Sequence, residues 1–175
     1  MHSGILLAVE AEDVADAIHS VENFNEHNAQ WSDWNSHGGR WSEMIPDGVL
    51  RYSDNPEVFM QVIEQFKSWT KKEFERLVDD LGDISVRDLA LDPKYEFGGF
   101  KGKDEYATEE EKRQALDNSL ARYRAGKLMH LLNGEFSNDS HFYDIDNYTM
   151  KDDYLLERIK ENPERQFIVV WDYHH

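Results

Sequence analysis

"QFIVVWD", residues 166 to 172, is the stretch whose reading decides the fold. It is a short run of β-branched and aromatic residues that follows Asn162-Pro163, and such side chains fit the pleated surface of a sheet. It predicts a strand near the end of the chain. "GILLAV", residues 4 to 9, answers it near the beginning: short, apolar, and bounded by glycine and acid. Two apolar terminal strands placed side by side would form the centre of a small sheet.

Between them the hydrophobic period is helical. Val14, Ala17, Ile18 and Val21 predict a helix that starts near Glu12 or Asp13, where negative charge suits the helix dipole. Residues 47 to 53 read as a short strand. Asn55-Pro56 opens the clearest helix, with Val58, Phe59, Val62, Ile63, Phe66, Trp69, Phe74, Leu77 and Val78 on one face and Gly82 as its stop. Thr108 and Glu111 form a capping box for a second long helix that ends at Asn133-Gly134. "HFYDI" (141–145) reads as a strand, and Thr149 with Asp152 caps a short helix. Residues 83 to 107 are the least regular part and read as a surface loop, with a mobile flap as the alternative. The expectation is one domain over 1–175, of α+β class. Its sheet is small, mainly antiparallel and includes both terminal strands, with helices packed on one face.

Composition narrows the function classes. Hydrophobic content of 39% with 13% aromatic is that of a folded domain. Thirty-six acidic residues against nineteen basic leave a net charge of −17, which excludes a general basic surface for nucleic acid or an anionic membrane. No apolar run approaches the roughly 18 residues that span a bilayer. "MHSGILLAVEAEDV" lacks the basic region of a signal peptide, so the expected location is the cytoplasm. The absence of cysteine excludes disulfides, thiolate zinc sites and cysteine nucleophiles.

The chemistry-bearing residues gather in two places. "WSDWNSHGGRW" (31–41) sets three tryptophans around a Gly-Gly break. Gly38 and Gly39 let the backbone take positive φ and approach a ligand closely. Arg40 carries a planar fork suited to carboxylate or phosphate, and Trp31, Trp34 and Trp41 offer stacking faces. The plainer alternative is a turn in which Trp34 and Trp41 plug the core while Arg40 pairs with Asp33. The second place is "VVWDYHH" at the other end of the chain. Strand alternation puts Trp171 and Tyr173 on one face and Asp172 and His174 on the other. Asp33 and His37 are candidates to complete an Asp/His set with that pair.

"DWNSHGGRW" and "VVWDYHH" resemble a group of uncharacterised phage and prophage proteins. That group pairs a D-W/Y-x-x-x-G-G-R-W segment with a final V-V-D-x-H-like strand. Asp33, Trp34, Gly38, Gly39, Arg40, Trp41, Asp172 and His174 carry the likeness; residues 55–160 do not take part in it. The sequence departs from the pattern at Asn35, Trp171 and His175. The resemblance implies a setting, an accessory protein inside a bacterial host cell with counter-defence as one role, more than a mechanism.

Three functions follow as expectations. The first is a non-catalytic binding protein that takes a small anionic, nucleotide-like ligand on Asp33, Trp34, His37, Gly38, Gly39, Arg40, Trp41, Asp172 and His174, with no cofactor and no resident metal. The second is an acidic inhibitor or nucleic-acid mimic whose partner is a host defence protein such as a restriction or CRISPR-type enzyme. The third is a metal-dependent hydrolase using Asp172 and His174 with Asp33 and His37.

Overall fold

The elements follow in the order β1 (His2–Glu10), α1 (Val14–Asn28), β2 (Trp34–His37), β3 (Val49–Arg51), α2 (Pro56–Leu81), α3 (Val86–Leu91), α4 (Glu109–Asn133), β4 (Phe142–Asp144), α5 (Asp153–Glu161) and β5 (Gln166–His174). They are those of a computed structural model that describes residues 2–95 and 108–175.

The two terminal strands are neighbours. β1 and β5 pair antiparallel along their whole length, from His2 opposite His174 to Glu10 opposite Gln166. β4 joins the other side of β1 in parallel, and both β2 and β3 pair antiparallel with β5. The order is β2-β5-β1-β4, with β3 also on β5. The class is α+β, and the sheet is mixed but mostly antiparallel.

Helices cover both faces of this sheet, where one covered face was expected. Ile5, Leu7 and Val9 of β1 pack with Ala17, Val21 and Phe24 of α1. Leu6 and Ala8, of the opposite parity, pack with Phe59, Ile63 and Phe66 of α2 and with Leu155 and Ile159 of α5. The cause is local. Residues 5 to 8 are apolar at every position, and so are 167 to 171, so neither face of the central pair can be left to water.

Caps set the helix ends. Asp13 Oδ1 accepts from the Asp16 amide at 2.9 Å at the start of α1. Asn55 Oδ1 accepts from Val58 ahead of α2, and Gly82 closes α2 at a φ of 52°. The Thr108–Glu111 capping box forms in both directions. Asp152 precedes α5 without a side-chain capping bond, and its carboxylate accepts from Lys67 Nζ at 2.9 Å.

Contacts group the chain into two units. Unit 1 is Met1–Lys72 with Asn133–His175 and contains the sheet; unit 2 is Glu73–Leu132 and is helical among its described residues. Within 83–107, the stretch read as a loop, residues 86–91 form α3. Ser85 caps it by accepting from the Asp88 amide at 3.0 Å. Pro93–Tyr95 follow as one turn of 3-10 helix, and 96–107 lie outside the described residues. Among the described residues no helix is long and apolar enough to cross a membrane.

Candidate functional site

The site is built at one end of the sheet, where β1 begins and β5 ends. β2 is a four-residue edge strand whose register sets Trp34 opposite His174 and Ser36 opposite Asp172. Gly38 and Gly39 follow with φ of 66° and 52°, a region that L side chains avoid. The Gly38 amide donates to the Val170 carbonyl at 2.9 Å, and one turn of 3-10 helix over Gly39–Trp41 carries the chain across the sheet. A β-carbon on Gly4 would meet Trp41 Cδ2 at 2.5 Å, so the indole lies directly on the backbone of β1. Trp41 is thus a packing residue of the α2 face.

Four ionisable side chains converge here in two pairs. His2 Nδ1 lies 3.1 Å from Asp172 Oδ1, and the Arg40 amide donates to Asp172 Oδ2 at 3.2 Å. The Asp172 carboxylate is only 1% exposed, and these two contacts satisfy it. His174 Nδ1 lies 3.3 Å from Asp33 Oδ2, within ion-pair range though off the hydrogen-bond angle. The two imidazoles touch, with ring centres 5.0 Å apart at 69°. Trp34 lies parallel to His174 at 5.6 Å and 3°, and edge-on to His2 at 5.3 Å. His2 therefore spends Nδ1 on a carboxylate, while His174 Nδ1 lies beside one without a hydrogen bond. Neither Nε2 has a partner among the described residues, and neither is buried.

Of the residues singled out in sequence, Asp33, Trp34, Gly38, Gly39, Arg40, Trp41, Asp172 and His174 meet at this end. His37 does not join them. Alternation along β2 turns it to the opposite face, where its ring stands 5.7 Å from Trp171 and Asn35 accepts from Trp171 Nε1 at 2.8 Å. The Asp/His set expected to include His37 is not assembled. Nor does Arg40 pair with Asp33: its guanidinium is exposed and has no partner among the described residues. Trp31 is part of the α1-side core, against Tyr173 at 5.0 Å. Trp34 alone of the three keeps an open face, at 47% exposure.

His2 is the member that sequence reasoning missed. Its signal is the register: antiparallel pairing of the two terminal strands brings residue 2 opposite residue 174. Among the described residues no group of three or more His, Asp or Glu is arranged to hold a metal ion.

A second polar network lies at the other end of β1, β4 and β5. Asp144 is fully buried. Arg158 Nη1 and Nη2 donate to its two oxygens at 3.0 and 3.2 Å, and Nε donates to Gln166 Oε1 at 3.0 Å. The amides of Asp146 and Asn147 also donate to Asp144. Every group is paired, as a buried ion pair requires. This network ties α5 to the sheet.

Comparison with protein-family models, with curated proteins and with solved structures returned no match.

Proposed function

We propose that this end of the sheet binds a small anionic ligand that carries a flat ring, of nucleotide type. The observation that carries the reading is Trp34, half exposed and stacked parallel on His174 while both imidazoles leave Nε2 open to solvent. An aromatic face takes a base, at about 1–3 kcal/mol per stacked base. The unpaired guanidinium of Arg40 takes the anionic group. In their protonated forms, His2 and His174 each add an Nε2–H donor while their carboxylates hold the rings in place. The protein's net charge of −17 opposes an approaching anion. Salt screens that field within about 8–10 Å, so short-range donors decide binding at the site. Calorimetry with nucleoside mono-, di- and triphosphates tests the proposal. Wild-type binding should weaken about tenfold or more in Arg40→Ala and in Trp34→Ala. No binding by wild type, or equal binding by Arg40→Ala, rejects it.

One observation favours a second reading, inhibition of a nucleic-acid enzyme through an acidic surface. The acid is not evenly spread: unit 1 holds 22 acidic residues against 9 basic, and unit 2 holds 14 against 10. Residues 1–39 contain seven acidic residues and no lysine or arginine. Inhibition of a DNA-cleaving enzyme that survives Arg40→Ala but is lost on neutralising Asp16, Glu22 and Glu26 of α1 would select this reading over the first.

A further inference from the structure

The helical unit contains an open groove of about 610 Å³ that the sheet-end site does not use. Its walls come from Val78 and Leu81 of α2, Val86 and Leu89 of α3, and Leu128 and Met129 of α4. The small residues Gly82, Ala90 and Ala125 also line it. Apolar side chains stay in water along it: Val86 is 83% exposed and Met129 is 53% exposed. Helix packing ordinarily removes such residues from solvent, so this groove offers apolar surface that a ligand would cover.

Among the described residues, one charge lines the groove, that of Arg122. Arg122 donates from Nε to the Leu89 carbonyl at 2.6 Å and from Nη2 to the Ala90 carbonyl at 3.2 Å. Both carbonyls lie near the end of α3, and they hold the guanidinium in a fixed orientation. No carboxylate pairs with it among the described residues, and Nη1 has no partner there. Such a cation beside an apolar wall is complementary to a molecule with an anionic head and an apolar tail. The volume lies within the roughly 300–1,000 Å³ typical of small-molecule sites. The unit that carries the groove is also the less acidic of the two, which lowers the repulsion an anion meets.

We propose that this groove binds a single-chain fatty-acid carboxylate, with the chain along α2, α3 and α4 and the head on Arg122. The test uses the full chain, stripped of lipid, and displacement of a fluorescent fatty-acid probe by palmitate or by methyl palmitate. Palmitate should bind saturably, and the ester about tenfold or more weaker, because it lacks the charge that Arg122 meets. Arg122→Gln should bring palmitate down to the ester's affinity, and Ala125→Trp, at a lining position, should abolish both by filling the groove. Equal binding of acid and ester, no effect of Arg122→Gln, or no saturable binding overturns the proposal. Dimerisation that Ala125→Trp removes, without palmitate binding, assigns the groove to a second copy of the chain and likewise overturns it. Should Ala125→Trp lose its helical circular dichroism, a diazirine palmitate decides. Labelling of residues 78–90 and 122–129 supports the groove, and labelling elsewhere rejects it.

Discussion

The carboxylate of Asp172 occupies the space where a side chain on Gly39 would begin. A β-carbon there would come within 2.5 Å of both Cβ and Oδ2 of Asp172. The same turn donates its next amide, that of Arg40, to that oxygen. The Gly-Gly break and the Asp-x-His strand end are therefore one object. The glycine allows close approach, and the following amide helps to neutralise the buried acid.

Gly39→Ala should consequently destabilise the protein and open the site at once. The φ of 52° alone costs about 1–3 kcal/mol for a side-chain-bearing residue, and the collision with Asp172 adds to it. Urea unfolding should show the loss, and the His2 ring signals in NMR should shift as Asp172 moves. A variant as stable as wild type, with unchanged His2 signals, would show that Asp172 is not seated against this turn.

Arg158→Met should be among the most damaging single changes. It leaves Asp144, fully buried, without its bidentate partner, and removal of one member of a buried pair costs about 3–5 kcal/mol. The control is Lys67→Met. It breaks a partly exposed contact to Asp152, and about 1–3 kcal/mol is expected. Denaturant midpoints that rank the two variants in the opposite order would contradict the assigned burial.

Much of the fold was legible because its elements are long and periodic. "GILLAV" and "QFIVVWD" declare strands by composition, and the Pro56 and Thr108 starts with the Gly82 and Gly134 stops bound the two long helices. The coverage of both sheet faces was also written there, in residues 5 to 8 being apolar at both parities. α3 is harder to see, since six residues carry too little periodicity and only Ser85 and Asp88 hint at a cap. At the site, the link between residues 33–41 and 172–174 follows from residue types alone. The side each residue faces does not. Reading 31–41 as a turn hides the four-residue strand whose alternation sends His37 away from Asp172. The Asp144–Arg158 pair has no local signal at all, because tertiary packing alone brings the two side chains together.

Tyr173 gives a prediction on the alkaline side. Its hydroxyl donates to Asn25 Oδ1 at 2.6 Å in the core. Burial pushes the phenol well above its usual value near 10. The folded protein thus keeps this proton when the unfolded chain has lost it. Stability falls as pH rises through the unfolded value. Tyr173→Phe should be less stable at pH 7 by about 1–3 kcal/mol, since Asn25 loses its donor. Its stability should fall less steeply above pH 10. Parallel alkaline limbs for the two proteins would refute the assignment.

Asp146 makes the opposite test on the acid side. Burial raises its carboxyl above the usual 3.8, and this outweighs the Glu10 amide and the Arg158 charge, both of which favour the ionised form. The Glu10 amide donates to Oδ2 at 2.7 Å, so the residue's role at the end of β1 is that of an acceptor more than of a charge. Because the folded state holds the proton more tightly than the unfolded chain, ionisation costs stability. That cost begins near pH 3.8 and is complete once the pH passes the raised folded value. Asp146→Asn keeps an acceptor oxygen and removes the ionisation. Its melting temperature relative to wild type should therefore rise as the pH climbs from 3.8 and level off once the pH passes the raised folded value. A difference that stays flat, or shrinks as the pH rises, would mean that Arg158 rather than burial governs this carboxylate, and would reverse the sign assigned here.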